Sequence, residues 1–144
     1  MAFSGNFLCT SFKKELMEAK HNFTAASDVF KLALYDNIAS FTAATTAYTS
    51  SNEISGTNYT AKGQFLTSVT PTTSSTTALT DFADEVFSNV TISGVRGALI
   101  YNEAATSDPS VCVLDFGGDK YASSGDFTIV FTTTDASNAI IRID

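Results

Sequence analysis

The acidic segment 80–87 holds the residues that could most readily carry out chemistry. Asp81, Asp84 and Glu85 lie close together along the chain, and a pair of nearby carboxyl groups is the acid and base of a glycoside hydrolase. A chain with 15 acidic residues also produces such neighbours on any solvated surface, and we favour that interpretation. A hydrolase built on a β-sandwich is kept as a third hypothesis.

Other motifs that could support catalysis or bind a metal are incomplete. The single histidine, His21, has no obvious partner and ends a predicted helix, whose dipole favours the cationic form. The run Asp115-Phe-Gly-Gly-Asp-Lys resembles half of a calcium loop but lacks the remaining oxygen donors and the closing glutamate. We interpret Gly117–Gly118 as a turn between strands. One histidine and two cysteines do not make a metal site, so we predict no catalytic, cofactor-binding or metal-binding residue.

Composition and charge argue against two classes of partner. The chain of 144 residues has a net charge of −7, and its eight basic residues form no stripe. Nucleic acids and anionic membranes both need clustered Lys and Arg, so we expect neither. The N-terminus has no pattern of a signal peptide, and no segment is long enough to span a membrane. Cys9 and Cys112 are predicted to be two buried thiols, with a disulfide as the alternative.

The elements that would position these residues are mostly β-strands. Residues 95–144 contain four short segments rich in Val, Ile and Phe, separated by turn-forming residues, which is typical of an antiparallel meander. Residues 28–35 alternate as a further strand. Residues 11–21 have apolar positions at helical spacing and a Ser or Thr to cap them. The sequence therefore predicts a mainly β fold, an antiparallel β-sandwich with one N-terminal α-helix, as a single domain over residues 11–144.

Residues 1–10 are predicted to form an N-terminal arm. Phe3, Phe7 and Leu8 are apolar among Ser, Gly and Asn. Two roles remain open: the arm lies across the core of its own domain, or it reaches a neighbouring subunit, because exposed phenylalanines on a loose terminus would otherwise be a liability. The second role makes these three residues the candidate interaction site. It also predicts that deleting residues 1–10 weakens binding and leaves the domain folded.

Four tyrosines are candidates for a carbohydrate-binding platform: Tyr48, Tyr59, Tyr101 and Tyr121. Glycan platforms use exposed aromatic rings, and this chain has no tryptophan. We favour positions at the margins of the sheets, with the hydroxyl groups in water.

Several stretches of the chain together resemble a known family. They are Phe30-Lys-Leu-Ala-Leu-Tyr with the Thr/Ala run that follows it, Thr46-Ala-Tyr-Thr-Ser-Ser-Asn-Glu-Ile-Ser-Gly-Thr-Asn-Tyr-Thr-Ala, Arg96-Gly-Ala-Leu-Ile-Tyr-Asn and Val113-Leu-Asp-Phe-Gly. The chain resembles small virion structural proteins of tailed bacteriophages, particularly aquatic and cyanobacterial phages, over nearly its whole length. The family has no catalytic motif that could be carried over. Asn58 and Lys62 occupy positions at which family members often have a glycine-rich sequence.

The resemblance implies a non-enzymatic function. We expect a cement (decoration) protein on the outside of the capsid, which binds the major capsid protein and copies of itself and stabilises the contacts between capsomers. It would reside in the host cytoplasm during assembly. Symmetric capsid sites favour a homo-oligomer, as a trimer or dimer. The alternative is a receptor-binding or fibre module associated with the tail or a vertex.

Overall fold

The computed structural model describes residues 3–144, which form two antiparallel sheets and one short helix. In chain order the elements are β1 (Phe7–Leu8), α1 (Thr10–Met17), β2 (Phe30–Tyr35), β3 (Gln64–Phe65), β4 (Thr72–Ser74), β5 (Thr77–Thr80), β6 (Glu85–Asn102), β7 (Ser110–Ile129) and β8 (Ile141–Ile143). The larger sheet has the order β1-β7-β6-β2-β3, and the smaller one β4-β5-β8. The predicted mainly β class with one N-terminal helix is confirmed.

The centre of the larger sheet is β2 paired with the end of β6. Phe30 lies opposite Asn102 and Tyr35 opposite Gly97, and all six residues of β2 are buried. Even Lys31 is covered, because its ammonium group lies 4.4 Å from the centre of the Phe65 ring and 3.2 Å from Glu103. Strands with both faces covered lose the polar side of the alternating pattern, and β2 is such a strand.

The two longest strands, β6 and β7, form a hairpin that curls. Five register shifts interrupt their pairing, and between Gly97↔Asp115 and Val95↔Lys120 β7 has the extra residues. The ring centres of Phe116 and Phe127, both on β7, are only 6.2 Å apart. A straight strand would separate their Cα atoms by about 36 Å. The extra residues therefore act as β-bulges that bend β7 back towards its own start.

This hairpin corrects the prediction of four separate segments in 95–144. The first joins β6, which begins ten residues earlier at Glu85, and the second and third lie largely within the single strand β7. Gly117–Gly118 is a bulge and not a turn: Gly117 has φ +73° inside the strand, and its N–H donates to Oδ1 of Asp115 at 2.9 Å. Glycine supplies the left-handed conformation that turns and bulges share, so the residue type alone did not separate them.

The helix ends earlier than its apolar spacing predicted, at Met17 instead of residue 21. Ala19 has φ +57°, the N–H of Lys20 donates to the Glu15 carbonyl, and the N–H of Ala19 donates to the Leu16 carbonyl. These two bonds form a Schellman motif. Its left-handed position is usually a glycine, and the alanine here gave no signal in the sequence. At the other end Cys9 is the N-cap, without a side-chain cap bond.

The N-terminal segment packs on its own domain. Phe3 is 4% exposed and lies against Phe41, with ring centres 5.7 Å apart. Phe7 and Leu8 form β1, which pairs with Val113 and Cys112 of β7. Of the two roles left open for residues 1–10, the structure shows the first, and contact with a neighbouring subunit stays a prediction. Deletion of these residues would remove part of the core, so we no longer expect it to leave the domain folded. Met1 and Ala2 lie outside the described residues.

Candidate interaction surface

The three carboxylates considered as a catalytic pair do not share a cleft. The side chain of Asp81 is fully buried, and its Oδ1 accepts from the Phe82 N–H at 2.9 Å while its Oδ2 has no partner. Burial raises the pKa of Asp81, an effect that backbone N–H groups partly oppose. Asp84 is exposed and accepts from the Phe131 N–H. None of the three, including Glu85, lines any of the surface grooves described below.

His21 has partners that the sequence did not predict. Its side chain is buried between Glu15, at 2.9 Å from Nε2, and Asn102, at 3.1 Å from Nδ1. Asn102 also donates to Asp28 through Nδ2 and accepts the Ala104 N–H through Oδ1. These contacts fix the amide orientation, so Nδ1 of His21 must be the acceptor and Nε2 the donor. The imidazole joins Glu15 of α1 to Asn102 at the end of β6.

The two cysteines are free and buried, as the favoured interpretation predicted. Burial raises the pKa of both thiols, and Ser110, as a hydrogen-bond partner, opposes the effect at Cys9. A thiol with a raised pKa is a poor nucleophile at neutral pH. Among residues 3–144, no group of three His, Cys, Asp or Glu side chains could hold a metal ion.

Most of the tyrosines bond inside the fold, which corrects the prediction of hydroxyl groups in water. Glu53 accepts the hydroxyl groups of Tyr48 at 2.6 Å and Tyr59 at 2.8 Å. The Tyr101 hydroxyl donates to the Lys62 carbonyl at 2.8 Å. Burial is the main cause that raises the pKa of these three phenols. They therefore fasten the loop that follows β2 to the sheet, and only Tyr121, which is 78% exposed, is placed as a glycan platform would require.

The most extensive open feature is a groove along the outer edge of β7, which we call the β7 groove. β1 covers this edge at Cys112 and Val113 only. Three cavities of about 270, 390 and 440 Å³ follow one another beside the strand. The first two share Asn6, Leu114, Ile140 and Arg142, and the last two share Phe116, Ile129 and Val130. The curl of β7 thus creates a continuous, mostly apolar channel open to solvent.

The second wall of the β7 groove is the segment between β7 and β8. Asp135 accepts the N–H groups of Ser137 and Asn138 at 2.8 and 2.9 Å, and the Asn138 side chain bonds to the same carboxylate. The Asn138 amide is the first cause that lowers the pKa of Asp135. The Thr132 hydroxyl donates to the Asn138 carbonyl at 2.6 Å. These bonds close the turn that forms this wall of the groove.

The sequence-predicted interaction residues divide between the core and this surface. Phe7 and Leu8 line the first cavity of the β7 groove, beside Cys112, whereas Phe3 lies in the core. Sequence reasoning missed Phe116 and Val130, the latter 72% exposed, and identified Tyr121, which is 78% exposed, only as a candidate glycan contact. The apolar residues within 116–131 could have indicated this surface. Because the range was predicted to contain separate strands, their common position along the edge of β7 was not recognised.

Comparison with protein-family models, curated proteins and solved structures finds no match for the chain. The one helix of residues 3–144 is too short to cross a membrane.

Proposed function

We propose that this chain is a non-enzymatic structural protein of a tailed-phage particle, and that it acts as a cement protein on the outside of the head. The observation that carries the proposal is the β7 groove, where exposed Tyr121 and Val130 border a strand edge without a partner strand beyond β1. Apolar surface that is open to water and bordered by polar residues is a feature of protein–protein contacts.

The state of the titratable groups is compatible with a structural role. His21, Glu53 and the buried tyrosines are hydrogen-bonded within the fold, which makes them supports of the scaffold. The net charge of −7 suits a position outside the packaged DNA, which an acidic protein would repel. We propose the major capsid protein and further copies of this chain as partners, and a dimer or trimer as the assembled form.

The test is the number of copies in purified particles, measured by quantitative mass spectrometry against the major capsid protein. A cement protein is present at hundreds of copies per head. A few to a few dozen copies would instead support the module associated with the tail or a vertex. Absence from washed particles would refute the virion assignment altogether.

A further inference from the structure

The basic residues of this acidic chain are distributed unevenly between the rest of the fold and the β7 groove. Five of the eight form ion pairs with carboxylates at 2.9–3.2 Å, namely Lys14, Lys20, Lys31, Lys62 and Arg96. Within residues 3–144 the other three, Lys13, Lys120 and Arg142, have no carboxylate within 4.0 Å. Lys120 and Arg142 both line the β7 groove. Two of the three unpaired cations therefore border the same apolar channel.

The acidic residues next to the groove already accept hydrogen bonds from other groups of the fold. Asp115 lines the middle cavity, but its Oδ1 accepts from Arg96 at 3.1 Å and from the Gly117 N–H at 2.9 Å. Asp135, in the wall, binds its own turn as described above. Arg142 donates to the Ser137 carbonyl and contributes to the lowered pKa of Asp135, but no carboxylate of the described residues lies within 4.0 Å of it. The two charged side chains of the groove lining that have no ion-pair partner in the described part of the chain are therefore both cations, Lys120 and Arg142.

We infer that the β7 groove binds an extended acidic segment of a partner protein, with apolar side chains in the channel and carboxylates on Lys120 and Arg142. Three cavities in a row along one strand fit a linear chain better than a compact ligand, which needs an enclosed pocket. The apolar floor is formed by Leu114, Phe116 and Ile129. Charge complementarity selects an acidic partner segment over a second copy docked through the same positive channel. This inference rests on the proposed protein-binding function and specifies the chemistry of its partner.

The test is selection from a random library of displayed 12-residue peptides on the purified full-length protein. We expect enriched peptides that combine Val, Ile or Phe with Asp or Glu. For a synthetic peptide of the enriched sequence, Lys120→Glu should weaken binding by at least about tenfold, since a charge-assisted contact is lost. Lys13→Glu is the matched control: it changes the net charge equally at an exposed site outside the groove, and should leave the affinity within about twofold.

Three results would overturn the inference. The first is enrichment without acidic residues, and the second is an equal effect of Lys120→Glu and Lys13→Glu, which would indicate only a general charge effect. The third is self-association of the protein, measured by sedimentation equilibrium, that Val130→Glu abolishes, because the groove would then be filled by a second copy. If one of these occurs while particles carry the protein at high copy number, the proposed function stands and only the acidic partner is wrong.

Discussion

Asp81 allows a direct test of how a buried carboxyl group affects the stability of this protein. Its carboxyl group is fully buried and one of its oxygens lacks a partner. Because burial raises its pKa, the folded state favours the neutral acid. The stability from this preference is fully present below the pKa of an unfolded aspartate, about 3.9, and is lost as the pH rises through the raised pKa of the folded state.

The substitution Asp81→Asn removes the ionisation and keeps the acceptor for the Phe82 N–H. An unpaired buried polar group costs about 1–3 kcal/mol, and more when it is charged. The new amide leaves its own N–H groups without an acceptor, which offsets part of the gain. We therefore expect a net increase in the free energy of unfolding of about 1 kcal/mol at pH 7, equivalent to about 3 °C in Tm, and no increase at pH 3.

The assay is urea denaturation of both proteins between pH 3 and pH 8, followed by circular dichroism. Asp84→Asn is the matched control, because this exposed carboxylate also accepts one backbone N–H, and its effect should stay within about 0.5 kcal/mol at every pH. A loss of stability in Asp81→Asn at pH 7 that disappears at pH 3 would refute the reasoning, since it would show that the buried carboxylate is stabilising when charged.

Three further predictions follow from buried contacts. Phe3→Ala should lower the free energy of unfolding by about 3–5 kcal/mol. The control Phe65→Ala, at a ring that is 62% exposed, should lower it by about 1 kcal/mol or less. Equal losses in denaturant titrations would show that Phe3 is not a core residue. Glu53→Ala should lower the free energy of unfolding by about 3 kcal/mol, because three donors lose their acceptor. Limited proteolysis of this variant should then cleave the chain within residues 48–62. Unchanged cleavage would contradict the role of Glu53. Both thiols should react with a thiol reagent only at the rate of unfolding, and rapid reaction in the native protein would show that they are accessible.

The class of the fold was predictable from the sequence because local residue patterns indicate it. A few neighbouring positions indicate the structure of both β2, through its strand-forming residues, and the helix, through the apolar face of Phe12 and Leu16. The exact end of the helix was not predictable, since Ala19 adopts a conformation that its residue type disfavours. The same limit applied at Gly117, where one backbone conformation serves both a turn and a bulge.

The candidate surface was less predictable than the fold, because it depends on long-range contacts. Phe7 and Leu8 were identified from their apolar character, but their pairing with β7 was not. The β7 groove exists only because β7 curls until Phe116 approaches Phe127, and no local pattern encodes that approach. Likewise, Lys120 stands out only once the ion pairs of the other basic residues are known.

The central claim is that this protein binds its partner through the β7 groove. The most direct measurement is hydrogen–deuterium exchange of the backbone amides, compared between the free protein and the protein bound to phage particles. The account predicts slower exchange on particles in residues 114–132, with no change in the segment 44–63 that Glu53 fastens. Protection confined to 44–63 or to the helix, with unchanged exchange along β7, would contradict it.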